Sequence, residues 1–171
     1  MMNLVAIDIT ASGFSPEVFG EIIAISACKF SDDGQLGAFF HSYISPVKGL
    51  DPLWERLLGV DNEALKLSPP LLQVAEQFFT FLDGRQIICT SYDMASGYLN
   101  DALTKLGRPH LPPSAFLSVW DLVPKRIFEM SLEAVDEYLQ IPPESAYLPI
   151  QSSRRVAEMY CNARQNQGLR K

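Results

Sequence analysis

Three apolar, β-branched runs follow one another within the first 44 residues, and this restricts the fold more than anything else in the chain. "LVAIDI" occupies 4 to 9, "EIIAISACKF" 21 to 30 and "GAFFHSYI" 37 to 44, the last two parted only by the turn-like "SDDGQ". Three strands with such short links pair as a β-meander. The pattern then changes period. "DPLWERLLGV" and "DNEALKL" read as short helices, the second capped by Asp61, and Ser68-Pro-Pro introduces "LLQVAEQFFTFL", whose apolar spacing is helical and which stops at Asp83-Gly84. "QIICT" is a fourth strand. "ASGYLNDALTKLG" is a helix ending at Gly107, with Leu99, Leu103 and Leu106 on one face. "FLSVWD" reads as a fifth strand, and "SLEAVDEYLQI", capped by Ser131, and "SRRVAEMYCNARQ" as closing helices. The order predicts an α/β fold: one mixed five-stranded sheet, opened by a three-stranded meander, flanked by helices and carrying its site at the strand ends.

At 171 residues and 47% hydrophobic content, the chain suits one core, so a single domain over 1–171 is expected, its last residues forming a basic tail. Asp8 interrupts the apolar start, which has no basic leader and is shorter than a membrane span; the expectation is a cytoplasmic protein without a membrane segment. Cys28, Cys89 and Cys161 lack the spacing of a zinc site or a disulfide framework and read as buried thiols. Charge is unevenly placed. Residues 1 to 145 carry nine Lys/Arg against nineteen Asp/Glu, whereas 146 to 171 carry Arg154, Arg155, Arg164, Arg170 and Lys171 against Glu158 alone. An acidic body repels polyanions, so nucleic-acid binding is expected to be weak and confined to the basic strip, and a protein partner is the stronger expectation.

The stretch "LVAIDITASGFSP" asks a chemical question, because a hydroxyl, Thr10, stands two residues after Asp8 on the same side of the strand. "AIDITASGFSPE" resembles the opening D-x-E-T-T-G-L-S-P of the DnaQ-like (DEDDh) 3′-to-5′ exonucleases, which include the proofreading subunit of bacterial replicative DNA polymerase. "EIIAISACKF", "FFHSYISP", "LLGVDNEALKLSPPLLQVAEQFFTFL", "YLNDALTKLGRP" and "SLEAVDEYLQI" resemble further blocks of that family, in its order and at its spacing. The resemblance covers almost the whole chain and implies a ribonuclease H-like fold. It also implies a pocket of four carboxylates that hold two divalent ions and a histidine that deprotonates the attacking water.

Carried over by position, the resemblance sets Asp8 at the first acid, Thr10 at the second, Ala95 at the helix acid, Tyr147 at the histidine and Ser152 at the last acid. One of five functional positions keeps its chemistry. Asp93, in "SYD", is the candidate for a displaced ligand, although two residues along a helix is a rotation of about 200°. From Ser145 through Ala157 there is no Asp, Glu or His, and a tyrosine with a pKa near ~10 is a poor base for water. His41 and His110 fall in blocks where the family has no catalytic group. Arg154 and Arg155, one turn into the final helix, are candidates to occupy the space left by the metal ions and to contact a phosphate, an acidic partner or Asp8. Trp54 and Trp120 read as packing residues; Tyr92, Tyr98 and Tyr147 are candidates for stacking a base. The leading expectation is a degenerate exonuclease-like domain, a pseudoenzyme acting as a binding, regulatory or scaffolding module in DNA metabolism and needing no cofactor. The alternative is an active exonuclease holding magnesium or manganese through Asp8 and Asp93. A third reading has a second chain completing the site.

Overall fold

The computed structural model describes residues 3–13, 16–18, 20–52, 55–56, 59–130, 132–140 and 149–168. Five strands, β1 (Leu4–Ala11), β2 (Ile22–Phe30), β3 (Leu36–Tyr43), β4 (Gln86–Cys89) and β5 (Phe116–Ser118), form one sheet in the order β3-β2-β1-β4-β5. The meander is antiparallel, while β4 runs parallel to β1 and β5 parallel to β4. Parallel neighbours need crossovers, and helices supply them. β1 and β2 are buried along nearly their whole length, which is why their sequences are continuous apolar runs rather than alternating ones.

Helices α1 (Asn62–Lys66), α2 (Leu71–Leu82), α3 (Tyr92–Lys105), α4 (Lys125–Phe128), α5 (Leu132–Tyr138) and α6 (Pro149–Gly168) cover the two faces. Asp61 caps α1 by accepting the Glu63 N–H at 3.1 Å, and α2 stops where Asp83 (φ 52°) and Gly84 (φ 67°) turn left-handed. The strand period sorts the core. Val5, Ile7 and Ile9 pack with Ile25, Val74, Phe78, Tyr98 and Leu99 under α2 and α3. Leu4 and Ala6 face the other way, onto Phe30, Ile88, Val135, Leu139, Val156 and Tyr160 under α5 and α6. Each fully buried side chain among these stabilises the fold by about 1.5–3 kcal/mol. Continuing the second row along β1, the next residues are Asp8 and Thr10, so the apolar floor under α6 ends in a carboxylate and a hydroxyl.

Three boundaries differ from the sequence expectation. "FLSVWD" leaves the sheet at Ser118, because the Ser118 hydroxyl donates to the Thr90 carbonyl (2.7 Å) and accepts the Trp120 N–H (3.3 Å), winding Val119–Leu122 into a 3-10 turn. Helix α3 begins at Tyr92, not Ala95, since the Ser91 hydroxyl accepts the Met94 N–H at 3.3 Å. Helix α6 begins at Pro149, a residue suited to a first helical turn, and runs to Gly168. Of the helix expected over 51–60, Pro52, Glu55 and Arg56 are helical; Trp54, Ser131 and the tail residues Arg170 and Lys171 lie outside the described residues.

The chain leaves β1 through a tied turn. The Ser12 N–H donates to the Glu21 carbonyl (2.9 Å), the Glu21 N–H to the Ser12 hydroxyl (3.0 Å), and the Tyr98 hydroxyl to the Gly13 carbonyl (2.8 Å). A Cβ on Gly13 would come within 3.0 Å of the Gly20 Cα, so two glycines are what let these backbones meet.

Candidate functional site

Asp8 sits on the central strand, opposite Ser26 of β2, with the first turns of α6 above both. A chain of hydroxyls closes over it. The Ser153 N–H donates to Ser26 Oγ (3.2 Å), Ser26 and Ser152 share a hydrogen bond of 2.9 Å, and Ser152 hydrogen-bonds the Asp8 side chain. Since Ser26 already accepts from a backbone N–H, the proton order that satisfies every group runs from Ser26 to Ser152 to the Asp8 carboxylate. Ser26 and Ser153 are buried. Burial raises the Asp8 pKa above the ordinary carboxylate value, and the Ser152 hydrogen bond and the Arg155 charge partly offset this.

Arg155 supplies the positive charge at the site. It is 18% exposed, its Nη2 lies 3.6 Å from Asp136 Oδ1 of α5, and its charge acts on Asp8 from the same cleft. That cleft, about 280 Å³, is lined by Asp8, Thr90, Trp120, Asp136, Ser152 and Arg155 over an apolar base of Val135, Val156 and Met159. Arg154 points elsewhere: it is 60% exposed and pairs with Glu158 one turn along α6 at 2.9 Å. Helix geometry separates the neighbours, since successive residues lie about 100° apart.

The remaining sequence candidates divide. Ala95, buried at the start of α3, lines a small hollow of about 40 Å³ together with Asp8, Thr90, Ser91 and Met94. Thr10, half-buried, precedes a register shift against β2 and lines neither hollow beside Asp8. Asp93 is exposed and opens into a different groove of about 560 Å³ with Pro16, Glu17, Gly97, Asn100, Asp101 and His110. Tyr147 lies outside the described residues. Tyr98 is buried with its hydroxyl on Gly13, and Tyr92 stands edge-on to Phe116 at 5.6 Å. His110 hydrogen-bonds Thr104 at 2.8 Å, while both ring nitrogens of His41 are buried without a partner and burial lowers its pKa. Burial pushes the thiols of Cys28 and Cys89 up to about 11 and about 12, so they stay protonated at neutral pH.

Four site residues, Ser26, Thr90, Trp120 and Asp136, carried no signal in sequence. Ser26 is one serine inside an apolar strand, and only its register opposite Asp8 gives it a role. Trp120 reached the cleft because the chain turned at Ser118 instead of continuing as strand.

A pair of divalent ions, as the family resemblance implies, needs several anionic oxygens converging on a point about 4 Å across. Among the described residues, no group of three or more His, Cys, Asp or Glu side chains is placed to hold a metal ion. Beside Asp8 stand the hydroxyls of Thr90 and Ser152, a further carboxylate of the cleft, Asp136, is paired with Arg155 at 3.6 Å, and that guanidinium opposes a dication. These residues do not fit a two-metal centre. What they can do is hold a half-buried carboxylate near an arginine paired with Asp136, with an apolar wall and an indole beside them.

No protein-family model matches the chain. The "3'-5' exonuclease DinG" of Bacillus subtilis is 32% identical over 105 residues, 61% of this chain and 11% of that protein. The "DNA polymerase III subunit epsilon" of Pasteurella multocida is 28% identical over 85 residues, half of this chain and 34% of that one. The chain thus spans from about a tenth to a third of these relatives' length. Among solved structures, the nuclease domain of 3'hExo, a DEDDh family member bound to rAMP, superposes with a TM-score of 0.73 over 95% of this chain and 91% of that one at 17% identity, a likeness of fold.

Proposed function

We propose that this chain, which has the DnaQ-like exonuclease fold and sequence relatives among 3′-5′ exonucleases and polymerase III subunits, is a catalytically degenerate member of that group that works by binding. The observation that carries the reading is what surrounds Asp8: Ser152 of α6 hydrogen-bonds it, and Arg155 of the same helix lines its cleft, where its charge acts on the carboxylate. In this reading the cleft keeps its shape without metal, because Arg155 does locally what a bound cation would do, and α6 is held on the sheet by the Ser26–Ser152 hydrogen bond. Ser152 cannot add charge, Ala95 cannot ligate, and among the described residues the hydroxyl chain puts no histidine at Asp8 to deprotonate water.

Binding follows from the same charges. Asp136 and Glu158 pair Arg155 and Arg154, and the body is acidic, so phosphate contact is weak and a protein partner is favoured. The relatives support this direction, since one is by name a subunit of a polymerase and the DinG match takes up 11% of its relative. The experiment is an assay of labelled single-stranded and double-stranded DNA and RNA with millimolar magnesium or manganese, beside Asp8→Ala as control. No shortening of 3′ ends is expected. Stepwise loss of nucleotides that disappears in Asp8→Ala would overturn the reading and restore an active exonuclease.

A further inference from the structure

A polar row crosses the sheet beneath α6. Asp8 of β1 stands opposite Ser26 of β2, and Ser26 stands opposite His41 of β3, so the three side chains share one face, while Phe40 points the other way onto α2. α6 packs on β1, β2 and β3 from the side of that row. Its first turns are fastened at two points: the Ser153 N–H and the Ser152 hydroxyl both bond Ser26 Oγ, and Ser152 bonds Asp8. The His41 end differs. Among the described residues, both ring nitrogens of His41 and the Ser153 hydroxyl are buried with no hydrogen-bond partner. These orphans border the same Ser26, His41 through strand register and Ser153 through its backbone N–H. A buried polar group without a partner keeps the full cost of leaving water, and for an imidazole that cost grows steeply once it is charged. The titratable and charged groups around His41 do not relieve it. Tyr43 of its own strand stands at right angles to the ring at 5.0 Å. Cys28, diagonal to it on β2, is protonated at neutral pH. On α6, Glu158 is paired with Arg154; beyond Ser26, Asp8 is hydrogen-bonded by Ser152 and feels the charge of Arg155.

We propose that His41 is an acid-sensitive catch for α6. Neutral, it stays under the helix and the cleft at Asp8 is closed. Protonated, it draws water to the β3 end of the row, which lifts the first turns of α6 and opens the cleft. Ser152, Arg155, Val156 and Met159 all belong to this helix, so the cleft loses a wall when it moves. The proton balance fixes the direction. Burial lowers the pKa of His41 in the closed form, whereas an imidazole in water takes its proton near its ordinary value of 6.5. The closed form is therefore fully favoured above about pH 6.5 and loses ground as pH falls below it. Opening of this kind does not depend on what the cleft binds or on whether it cuts nucleic acid, so the nuclease assay above and the test below fail independently.

The test follows amide exchange of the full chain from about pH 7.5 to about pH 5, read as protection factors so that the intrinsic pH dependence of exchange cancels. The Ser153 amide reports docking, because it bonds Ser26 across the interface. Its protection is expected to fall below about pH 6.5, by up to about 10-fold per pH unit, and to stay well under that of the β1 and β2 amides throughout. In a Trp54→Phe background, acrylamide quenching of Trp120, which lines the cleft, should rise over the same range. His41→Gln and His41→Phe should each abolish the response, whereas Asp8→Asn and His110→Ala should keep it. A flat profile in the parent overturns the inference, as does a response that survives both His41 substitutions or vanishes in Asp8→Asn. Equal protection at Ser153 and in β1 also overturns it, since only unfolding of the whole molecule would then be sensed.

Discussion

Two hollows gather acidic side chains, one along α3 and one around Asp8, and the larger holds more acid. The groove of about 560 Å³ along α3 gathers Glu17, Asp93 and Asp101 with His110, yet Asp101 is drawn to Lys105 at 2.6 Å and His110 to Thr104. The cleft of about 280 Å³ around Asp8 holds two carboxylates and an arginine between them. The groove is solvated charge on a helix surface. The cleft is half-buried charge, with Asp136 paired to Arg155. The number of acids in a region is therefore a poor guide to its chemistry; what matters is whether their oxygens converge out of water.

The severest way to break this contrast is to rebuild the acids. Ala95→Asp and Ser152→Asp together crowd carboxylates beside Asp8 and sever the Ser26–Ser152 bond. Chemical denaturation without metal should show a loss of about 3–5 kcal/mol, partly recovered with manganese, against no manganese response in the parent. Arg155→Ala comes next. It strands Asp8 and Asp136 and should cost about 2 kcal/mol, discounted from the figure for fully buried pairs because Asp136 is half exposed. Asp8→Asn tests the same pair from the other side. Burial holds the folded pKa of Asp8 above its unfolded value, so the carboxylate opposes folding once pH rises past that folded value. The substitution should leave stability at pH 7 unchanged or raise it by up to about 1 kcal/mol.

A pH series sharpens the comparison further. The lowered pKa of His41 means that the unfolded chain takes up its proton first on acidification, so stability should fall as pH drops below about 6.5, and His41→Leu should flatten that fall. The smallest effect belongs to the groove: Asp93→Ala, on an exposed turn, should move stability by less than about 0.5 kcal/mol and leave metal response unaltered.

Much of the fold was legible because it rests on period and punctuation. The branched runs at 21–30 and 37–44, the cap at Asp61 and the stop at Asp83-Gly84 are local signals, and the sheet follows them. The errors fall where a side chain of one segment bonds the backbone of another or caps its own helix early: Ser118 on Thr90 shortened β5, and Ser91 lengthened α3. Of the candidate site, alignment anticipated some of the positions that lie near Asp8. Asp8, Ala95 and Ser152 do come together around two adjoining hollows, whereas Thr10 and Asp93 stay apart from them. What alignment could not supply is compensation. The division of labour between Arg155 and Arg154 depends on helix phase against α5, and Ser26 acquires its role through register with a strand read as plain core.

The central place of β1 has a consequence in time. Its partner β2 follows within a few residues of chain, but its other neighbour, β4, is made only when Gln86–Cys89 emerges, and α6 later still. At synthesis rates of about 5–20 residues per second, the meander waits several seconds with the β4-facing edge of β1 unpaired and the apolar row from Leu4 to Phe30 uncovered. Ribosome-bound chains halted before residue 149 should accordingly recruit chaperones that recognise apolar strands, and release them once α6 docks. Ser152 and Arg155 arrive with that helix, so Asp8 spends the waiting period hydrated and unmatched, and its cleft closes only when α6 docks.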